Sequence, residues 1–220
     1  MFYEVIDTGN SASFPEPHAL HEKAETKGDV VIIIGDRVGP ALQTLVDRDQ
    51  RIAVLIELGT ECLGVHTSET RAVEGSNVLG FSRFRLGAAP PTALVEVVRQ
   101  PQSTDTAVAA AKEIFENAGL AVAICGDFDG RIVNRLVRPY YNAALKRLDE
   151  GLATADDLDK TLMLGLGYPE GPISLLERTG LVEHCEVTQA LFDATGDAAY
   201  APARRARVAK RRRDLEGGRR

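Results

Sequence analysis

Short runs of apolar residues alternate with amphipathic stretches through the first 126 residues of the chain. The runs Val-Val-Ile-Ile-Ile and Ile-Ala-Val-Leu-Ile are almost continuous in Val, Ile and Leu, as expected for strands buried on both faces of a sheet. Six segments of this kind predict strands, at residues 2–6, 29–34, 52–56, 77–81, 94–98 and 120–125. Residues 104–118 have helical periodicity and end at Gly119, a typical helix stop. This alternation predicts a mainly parallel, doubly wound sheet.

The pattern changes around the segment Gly-Asp-Phe-Asp-Gly at residues 126–130. Apolar residues then recur at three- and four-residue steps, at Val133, Val137, Tyr140 (or Tyr141), Ala144 and Leu148. This spacing predicts a long amphipathic helix that ends at Gly151. Thr154 and Asp157 resemble a capping box that opens a second helix, through about residue 164. Shorter helices are predicted at 173–179 and 181–194, so the second half is expected to be all helical.

Composition places the chain among ordinary globular proteins. Of the 220 residues, 44% are hydrophobic and 26% are charged, and the mean hydropathy is −0.12, which excludes wholesale disorder. The apolar runs are only of strand length, so no membrane helix is expected, and the N-terminus lacks the pattern of a secretory leader. The three cysteines are odd in number and lack metal-ligand spacing. This usage predicts a reducing, cytoplasmic location and no metal site.

Charge is distributed unevenly along the chain. Residues 204–220 contain nine of the 26 Lys and Arg residues, but only Asp214 and Glu216 of the 32 acidic ones. A basic tail can indicate nucleic-acid binding, but the remaining chain is strongly acidic, which argues against a dedicated nucleic-acid surface. We therefore expect the run from Arg204 to Arg213 to be a solvated helix and do not expect a nucleic-acid partner.

Doubly wound sheets often bind nucleotides, and they do so through a glycine-rich phosphate loop. Such a loop needs a first strand, the pattern G-x-G-x-x-G and a following helix. Gly9 is the only glycine before Gly28, so the loop is missing. The segment from Gly35 to Gly39 follows a strand but lacks the Lys-Ser/Thr of a P-loop, and we interpret it as a tight turn.

The stretch from Leu94 to Leu181 resembles the 3-hydroxyacyl-CoA dehydrogenase family, the NAD-dependent enzymes of fatty-acid β-oxidation and related acyl-CoA pathways. The resemblance rests on five motifs: LVEVV at 94–98, GRIVNR at 130–135, YNAAL at 141–145, GLATADDLD at 151–159 and LGLGYPEGP at 164–172. Their order and spacing fit over roughly 90 residues. Weaker similarity extends back through residues 29–34 and 52–63.

This resemblance implies a fold, a cofactor and an assembly. The fold is an α/β N-terminal domain over residues 1–126, an incomplete Rossmann-like domain with a mainly parallel sheet, followed by an all-α C-terminal domain over 127–220. The cofactor implied is NAD, the ligand an acyl-CoA, and the assembly a homodimer formed through the helical domain. The missing phosphate loop, however, predicts that this chain does not bind NAD tightly.

The family's chemistry uses a histidine as general base on the 3-hydroxyl group, oriented by a glutamate, while hydride leaves for NAD. Glu96 matches the glutamate, whereas Ser82 stands at the position of the histidine, and a serine cannot hold a proton near neutral pH. His66, the nearest upstream histidine, lies in a different segment. Asn134 matches a family asparagine that could face a substrate. Of the family's Ser-Asn-Thr-Ser segment only Thr60 is kept.

Three interpretations remain open at this point. The chain is either a catalytically impaired member of the family, or a working dehydrogenase whose missing parts come from a partner, or a non-enzymatic interaction protein that uses the helical domain and the Arg-rich tail. For Glu96 and Asn134 a structural role is as plausible as a place in the site.

The predicted dimer has support from the residues themselves. Apolar residues are more numerous in the helical half than a domain of about 90 residues readily buries. They are Ile132, Val133, Leu136, Val137, Leu162, Met163, Leu164, Leu166, Ile173, Leu175 and Leu176. A self-complementary patch on two copies would cover the surplus, whereas the alternative is that these residues pack on the α/β domain.

Overall fold

The computed structural model describes residues 1–68 and 76–217. The chain divides into two compact units. One comprises Met1–Arg85 and Pro91–Ile132, and the other comprises Leu86–Pro90 and Val133–Arg220. The first unit is α/β, and in the described part of the second unit all regular elements are helices, as the sequence predicts.

The first unit is built on one six-stranded sheet. Its strands are Tyr3–Asp7 (β1), Val30–Ile34 (β2), Ala53–Glu57 (β3), Val78–Arg83 (β4), Leu94–Arg99 (β5) and Ala121–Gly126 (β6). They lie in sequence order, and all neighbours are parallel except β4 and β5, which are antiparallel. Each of the six predicted strands is confirmed, with ends that differ by at most two residues.

Helices cover both faces of this sheet. They are Ala19–Glu22 (α1), Val38–Thr44 (α2), Gly64–Thr67 (α3) and Asp105–Asn117 (α4), with a short 3-10 turn at Arg48–Gln50. Val30, Ile32 and Ile34 of β2 belong to the core that α1 and α4 complete. Val31 and Ile33 point to the opposite face, into a core shared with α2 and with Leu63, the residue before α3. Because neighbouring residues of a strand point to opposite faces, the run is apolar at every position.

Helix α4 begins and ends where its flanking residues predict. The Thr104 side-chain oxygen accepts the backbone N–H of Ala107, at 3.2 Å, and so caps the N-terminus. Gly119 has a φ of +84°, a conformation that glycine adopts without strain and that ends the helix.

Five helices make up the rest of the chain: Arg131–Asp149 (α5), Ala155–Leu166 (α6), Pro172–Thr179 (α7), Leu181–Thr195 (α8) and Arg204–Gly217 (α9). Thr154 caps α6 as predicted, since its Oγ1 accepts the N–H of Asp157 at 3.2 Å, and the Asp157 carboxylate accepts the Thr154 hydroxyl at 2.8 Å. Helix α6 continues to Leu166, two residues beyond the prediction, because Gly167 takes the left-handed conformation that ends it. None of the described helices is both long enough and apolar enough to cross a membrane.

The conspicuous Gly-Pro pair at 171–172 is explained by a buried carboxylate. Asp159 of α6 accepts the N–H groups of Ile173 and Ser174, at 2.8 and 2.9 Å, and the Ser174 hydroxyl at 2.6 Å. It therefore caps α7 from a different helix. A Cβ at Gly171 would overlap the Asp159 side chain, so only glycine fits at that position.

We expect Asp159→Ala to lower the free energy of unfolding by about 2–4 kcal/mol, because it removes a buried, charge-assisted cap from α7. Asp156→Ala is the matched control, since Asp156 lies exposed in the first turn of the same helix and should cost about 1 kcal/mol or less. Urea unfolding at neutral pH measures both. Equal losses for the two variants would contradict the capping role.

Candidate functional site

The antiparallel pairing of β4 with β5 brings Ser82 and Glu96 together. The two residues are directly opposite each other in the register, so their side chains lie on the same face of the sheet, with Cβ atoms about 5 Å apart. Both are buried, Ser82 with 7% and Glu96 with 1% of its surface exposed. The strand register thus places the serine beside the glutamate that the sequence resemblance pairs with a histidine.

The Cys125 thiol and the Arg131 guanidinium are electrostatically coupled to Glu96 in the first unit. Burial raises the pKa of the Cys125 thiol to about 11, and the negative charge of Glu96 acts in the same direction. Burial also lowers the pKa of Arg131, while Glu61 and Glu96 act to raise it. Cys125 is therefore a protonated, unreactive thiol at neutral pH, and the Glu96 carboxylate shares its surroundings with a buried guanidinium.

Arg131 is a site residue that the sequence did not indicate. Its guanidinium donates to the Glu61 carbonyl at 3.2 Å and to the Gly59 carbonyl. Its backbone φ of +54° is uncommon for a residue other than glycine. The residue stands inside the motif GRIVNR, but no spacing or periodicity distinguishes it from a solvated arginine at the start of a helix.

Thr60 lies in the loop that follows β3. Its carbonyl accepts the N–H of Gly130 at 2.9 Å, so this part of the loop is tied to the segment before α5. The contact uses the backbone of Thr60 rather than its side chain. Thr60 therefore lies in the loop whose Gly59 and Glu61 carbonyls also accept hydrogen bonds from Arg131.

Asn134 belongs to the helical unit, where a buried polar chain holds its side chain. Asn134 Oδ1 accepts a hydrogen bond from Arg138 Nε at 2.9 Å, and Arg138 Nη1 donates to His184 Nδ1 at 3.0 Å. His184 Nε2 lies 3.0 Å from Asn142 Oδ1. Arg138, His184 and Asn142 are all almost completely buried.

The direction of these hydrogen bonds is set by Arg138, which can only donate. His184 must therefore accept at Nδ1 and donate from Nε2, as a neutral imidazole. Burial, reinforced by the positive charge of Arg138, lowers the pKa of His184 to about 3, in agreement with this state. Because Arg138 occupies the oxygen of Asn134, the group that Asn134 can offer to a ligand is its NH₂ donor.

A crevice lies at the carboxyl edge of the sheet in the first unit, where parallel α/β sheets usually bind ligands. Glu57, at the end of β3, is buried with 4% of its surface exposed and fills part of this edge. Its carboxylate accepts the backbone N–H of Ser13 at 2.6 Å and of Gly35 at 2.7 Å. The amides that could bind an anionic ligand are thus bonded to a carboxylate of the protein itself.

These residues do not fit a dinucleotide. A pyrophosphate needs free backbone amides at the start of a helix, and the crevice instead presents the carboxylates of Asp36, Glu57 and Glu61. Like charges in one crevice repel each other. Within residues 1–68 and 76–217, no group of three or more His, Cys, Asp or Glu side chains could hold a metal ion.

Sequence similarity relates the helical half of the chain to a protein family and most of the chain to known enzymes. The family model for the C-terminal domain of 3-hydroxyacyl-CoA dehydrogenase matches residues 130–217. A 3-hydroxybutyryl-CoA dehydrogenase of Bradyrhizobium diazoefficiens is 29% identical over 217 residues, covering 88% of this chain and 72% of that protein. The 3-hydroxybutyryl-CoA dehydrogenase of Mycobacterium tuberculosis is 35% identical over 127 residues, and the match spans 57% of this chain but only 43% of that protein.

Solved structures agree with this assignment. The (S)-3-hydroxybutyryl-CoA dehydrogenase of Ralstonia eutropha superposes with a TM-score of 0.68 at 25% identity, over 84% of this chain and 68% of that chain. The 3-hydroxybutyryl-CoA dehydrogenase of Escherichia coli gives a TM-score of 0.69 at 25% identity, over 82% of this chain and 39% of that one. These matches, which together span most of the chain, support its place in the 3-hydroxyacyl-CoA dehydrogenase family.

Proposed function

We propose that this chain is a catalytically impaired member of the 3-hydroxyacyl-CoA dehydrogenase family and that it acts in acyl-CoA metabolism. The observation that carries the proposal is the position of Ser82, directly across β4 and β5 from Glu96. A carboxylate beside a histidine supports proton transfer by orienting the imidazole and stabilising its charged form. A serine hydroxyl in the same place has no basic nitrogen to accept the proton of a 3-hydroxyl group.

The second support is the crevice at the carboxyl edge of the sheet. Hydride transfer needs an acceptor, which in this family is NAD. Glu57 bonds to the amides of Ser13 and Gly35, and a bound pyrophosphate would have to displace that carboxylate and lie near Asp36 and Glu61. We infer that the chain lacks both the base and the dinucleotide site of the family reaction.

We also propose an acyl-CoA as a ligand of the chain. Arg138 bonds to the oxygen of the Asn134 amide, and the NH₂ group of that amide is a donor that suits a carbonyl oxygen such as that of an acyl thioester.

We propose the reducing cytoplasm as the location of the chain. Its three cysteines are free thiols, which fits this location.

We also propose that the helical unit forms a homodimer. Of the apolar residues that the sequence predicts to be in excess, Ile173 and Leu176 are buried in this unit. Four others remain exposed, namely Leu136, Met163, Leu164 and Leu166, and the exposed fraction of Leu164 is 77%. Within α6 only Asp159 is fully buried. A helix with this much exposed apolar surface is typical of a surface that another protein covers. A second copy would provide a matching patch around a two-fold axis.

A non-enzymatic interaction protein is the second candidate, and helix α9 favours it. Arg205 and Lys210 form ion pairs with Asp149 and Glu186, which hold the helix to its unit. Other arginines of α9 line a depression of about 270 Å³, namely Arg204, Arg207 and Arg211. They suit an acidic or phosphorylated partner better than an extended nucleic acid, because the rest of the chain is acidic. The alternative of an active dehydrogenase completed by a partner rests on the family alone.

The purified chain is expected neither to bind NADH tightly nor to reduce acetoacetyl-CoA at a rate typical of the family. Loss of the general base alone removes a factor of about 10² to 10⁴, and the crevice offers no dinucleotide site. The Ser82→His variant should fold but remain inactive, because it still has no dinucleotide site. NADH fluorescence titration and a steady-state assay of both proteins measure this.

Turnover by the unmodified chain at a rate typical of the family would contradict the proposal outright. Activity that appears only in Ser82→His would show that the crevice does accept NAD and that the missing base is the sole defect. A Ser82→Ala variant of similar size is the matched control for that comparison.

The homodimer is tested by multi-angle light scattering at micromolar concentration. We expect a mass near twice the 23.8 kDa of the chain. Leu164→Glu should return the mass to that of a single chain, because a charge in an apolar interface is costly to desolvate. Val46→Glu, at a fully exposed valine of the first unit, is the control and should leave the dimer intact. A single-chain mass for the unmodified protein would rule out the dimer.

A further inference from the structure

A histidine and a glutamate form a pair in the crevice at the carboxyl edge of the sheet. The crevice has a volume of about 380 Å³, and both His66 and Glu61 line it. His66 Nε2 lies 3.3 Å from Glu61 Oε1. The His66 side chain, in helix α3, is 15% exposed, so the ring is held by the fold but reaches the crevice.

Glu61 decides which nitrogen of His66 carries the proton. Burial alone would raise the pKa of Glu61, but hydrogen bonds from His66, from its own backbone N–H and from the Gly59 N–H lower it to about 2. Glu61 is therefore a carboxylate at neutral pH and can only accept a hydrogen bond. The neutral His66 ring must donate from Nε2, which leaves the lone pair on Nδ1.

The Nδ1 side of the His66 ring lies against Gly39, and both residues line the crevice. A Cβ built on Gly39, in the first turn of α2, would lie 3.2 Å from His66 Nδ1 and 3.6 Å from Cε1. No hydrogen bond to Nδ1 is present among the residues that the structure describes. A nitrogen base with an oriented ring therefore borders a cavity, which is the arrangement that general bases require.

We propose that His66, positioned by Glu61, is a proton-accepting group for a small molecule bound in this crevice. The hydroxyl proton of the bound molecule moves to Nδ1 while the hydroxyl oxygen bonds to the carbonyl carbon of an ester, so that the electron pair of the O–H bond forms the new C–O bond. The former C–O bond of the ester then breaks, and its leaving oxygen takes the proton back from the ring. Between the two steps the ring is an imidazolium, whose positive charge the Glu61 carboxylate stabilises. No oxidant or reductant takes part. The step needs neither NAD nor Ser82, so it goes beyond the proposed function of the chain.

The lining of the crevice defines the class of molecule it would take. Asp36, Glu57 and Glu61 contribute negative charge, and Val38, Pro40 and Leu58 contribute apolar wall. Neither lysine nor arginine lines it in the described part of the chain. An anionic ligand would be repelled, whereas a small neutral or cationic alcohol would be accepted.

The reactivity of His66 can be measured with p-nitrophenyl acetate as the probe, on the intact 220-residue chain. Nδ1 attacks the ester carbonyl, the p-nitrophenolate leaves, and water then hydrolyses the acetyl-imidazole. We expect His66→Gln to lower the rate of p-nitrophenolate release about tenfold or more. His18→Gln is the matched control and should retain the rate, because Nδ1 of His18 is already bonded to the Leu20 N–H.

Gly39→Ala keeps both His66 and Glu61 but places a methyl group against Nδ1, so it should lower the rate by a similar factor. Alanine is favoured over glycine within a helix, so this variant should fold. An unchanged rate in either His66→Gln or Gly39→Ala would overturn the proposal. The probe uses no NAD and no acyl-CoA, so this result is independent of the dehydrogenase assay.

The positioning role of Glu61 is read from the imidazole nitrogens of His66 by ¹⁵N NMR at mildly alkaline pH. We expect a protonated Nε2 and an unprotonated Nδ1 in the unmodified chain. Glu61→Gln should give a mixture of the two tautomers, since an amide can accept or donate. A protonated Nδ1 in the unmodified chain would contradict the proposed base.

Discussion

The carboxylate of Glu57 holds together the edge of the sheet at which a member of this family would bind its cofactor. It bonds to the amide of Gly35, just after β2, and to the amide of Ser13, in the segment that follows β1. Ser13 in turn accepts the Arg83 N–H at 3.1 Å, at the end of β4. A buried carboxylate without such partners would be strongly destabilising. The ends of β2, β3 and β4 are thus fixed by one internal acid in place of a ligand.

The same principle, that buried polar groups must bond to one another, organises the helical unit. Arg138 is buried on α5 and bonds to Asn134 and to His184 of α8. Asn142 continues the chain to the carbonyls of Ala199 and Tyr200, each at 3.1 Å. Because each member is bonded to the next, changing one of them leaves its neighbour unsatisfied. The side chain of Asn134 therefore has a fixed orientation that follows from residues far along the sequence.

Much of the fold could be predicted from the sequence because its signals are local. The run Val30–Ile34 is buried on both faces of the sheet and is therefore apolar throughout, and Thr104 and Gly119 mark both ends of α4 through short-range contacts. The pairing of Ser82 with Glu96 could be anticipated only from the family resemblance, since strand register is a long-range property.

The polar contacts that build the site have no local signal in the sequence. Glu57 contacts Ser13 across 44 residues, and Arg138 contacts His184 across 46. Neither pair follows a helical or strand period. His66 and Glu61 are five residues apart, but they meet because of the turn into α3 rather than through a periodic spacing. Sequence patterns record the burial of apolar faces, whereas these polar contacts depend on the completed fold.

The amides of Ser13 and Gly35 at this sheet edge are bonded to Glu57 and are not open to a dinucleotide. Their backbone resonances can be followed by ¹⁵N–¹H NMR while NAD⁺ is added to excess. Both resonances are expected to stay in place throughout the titration. A saturable shift of both resonances would show that NAD⁺ displaces the Glu57 carboxylate and that the edge is open to the dinucleotide.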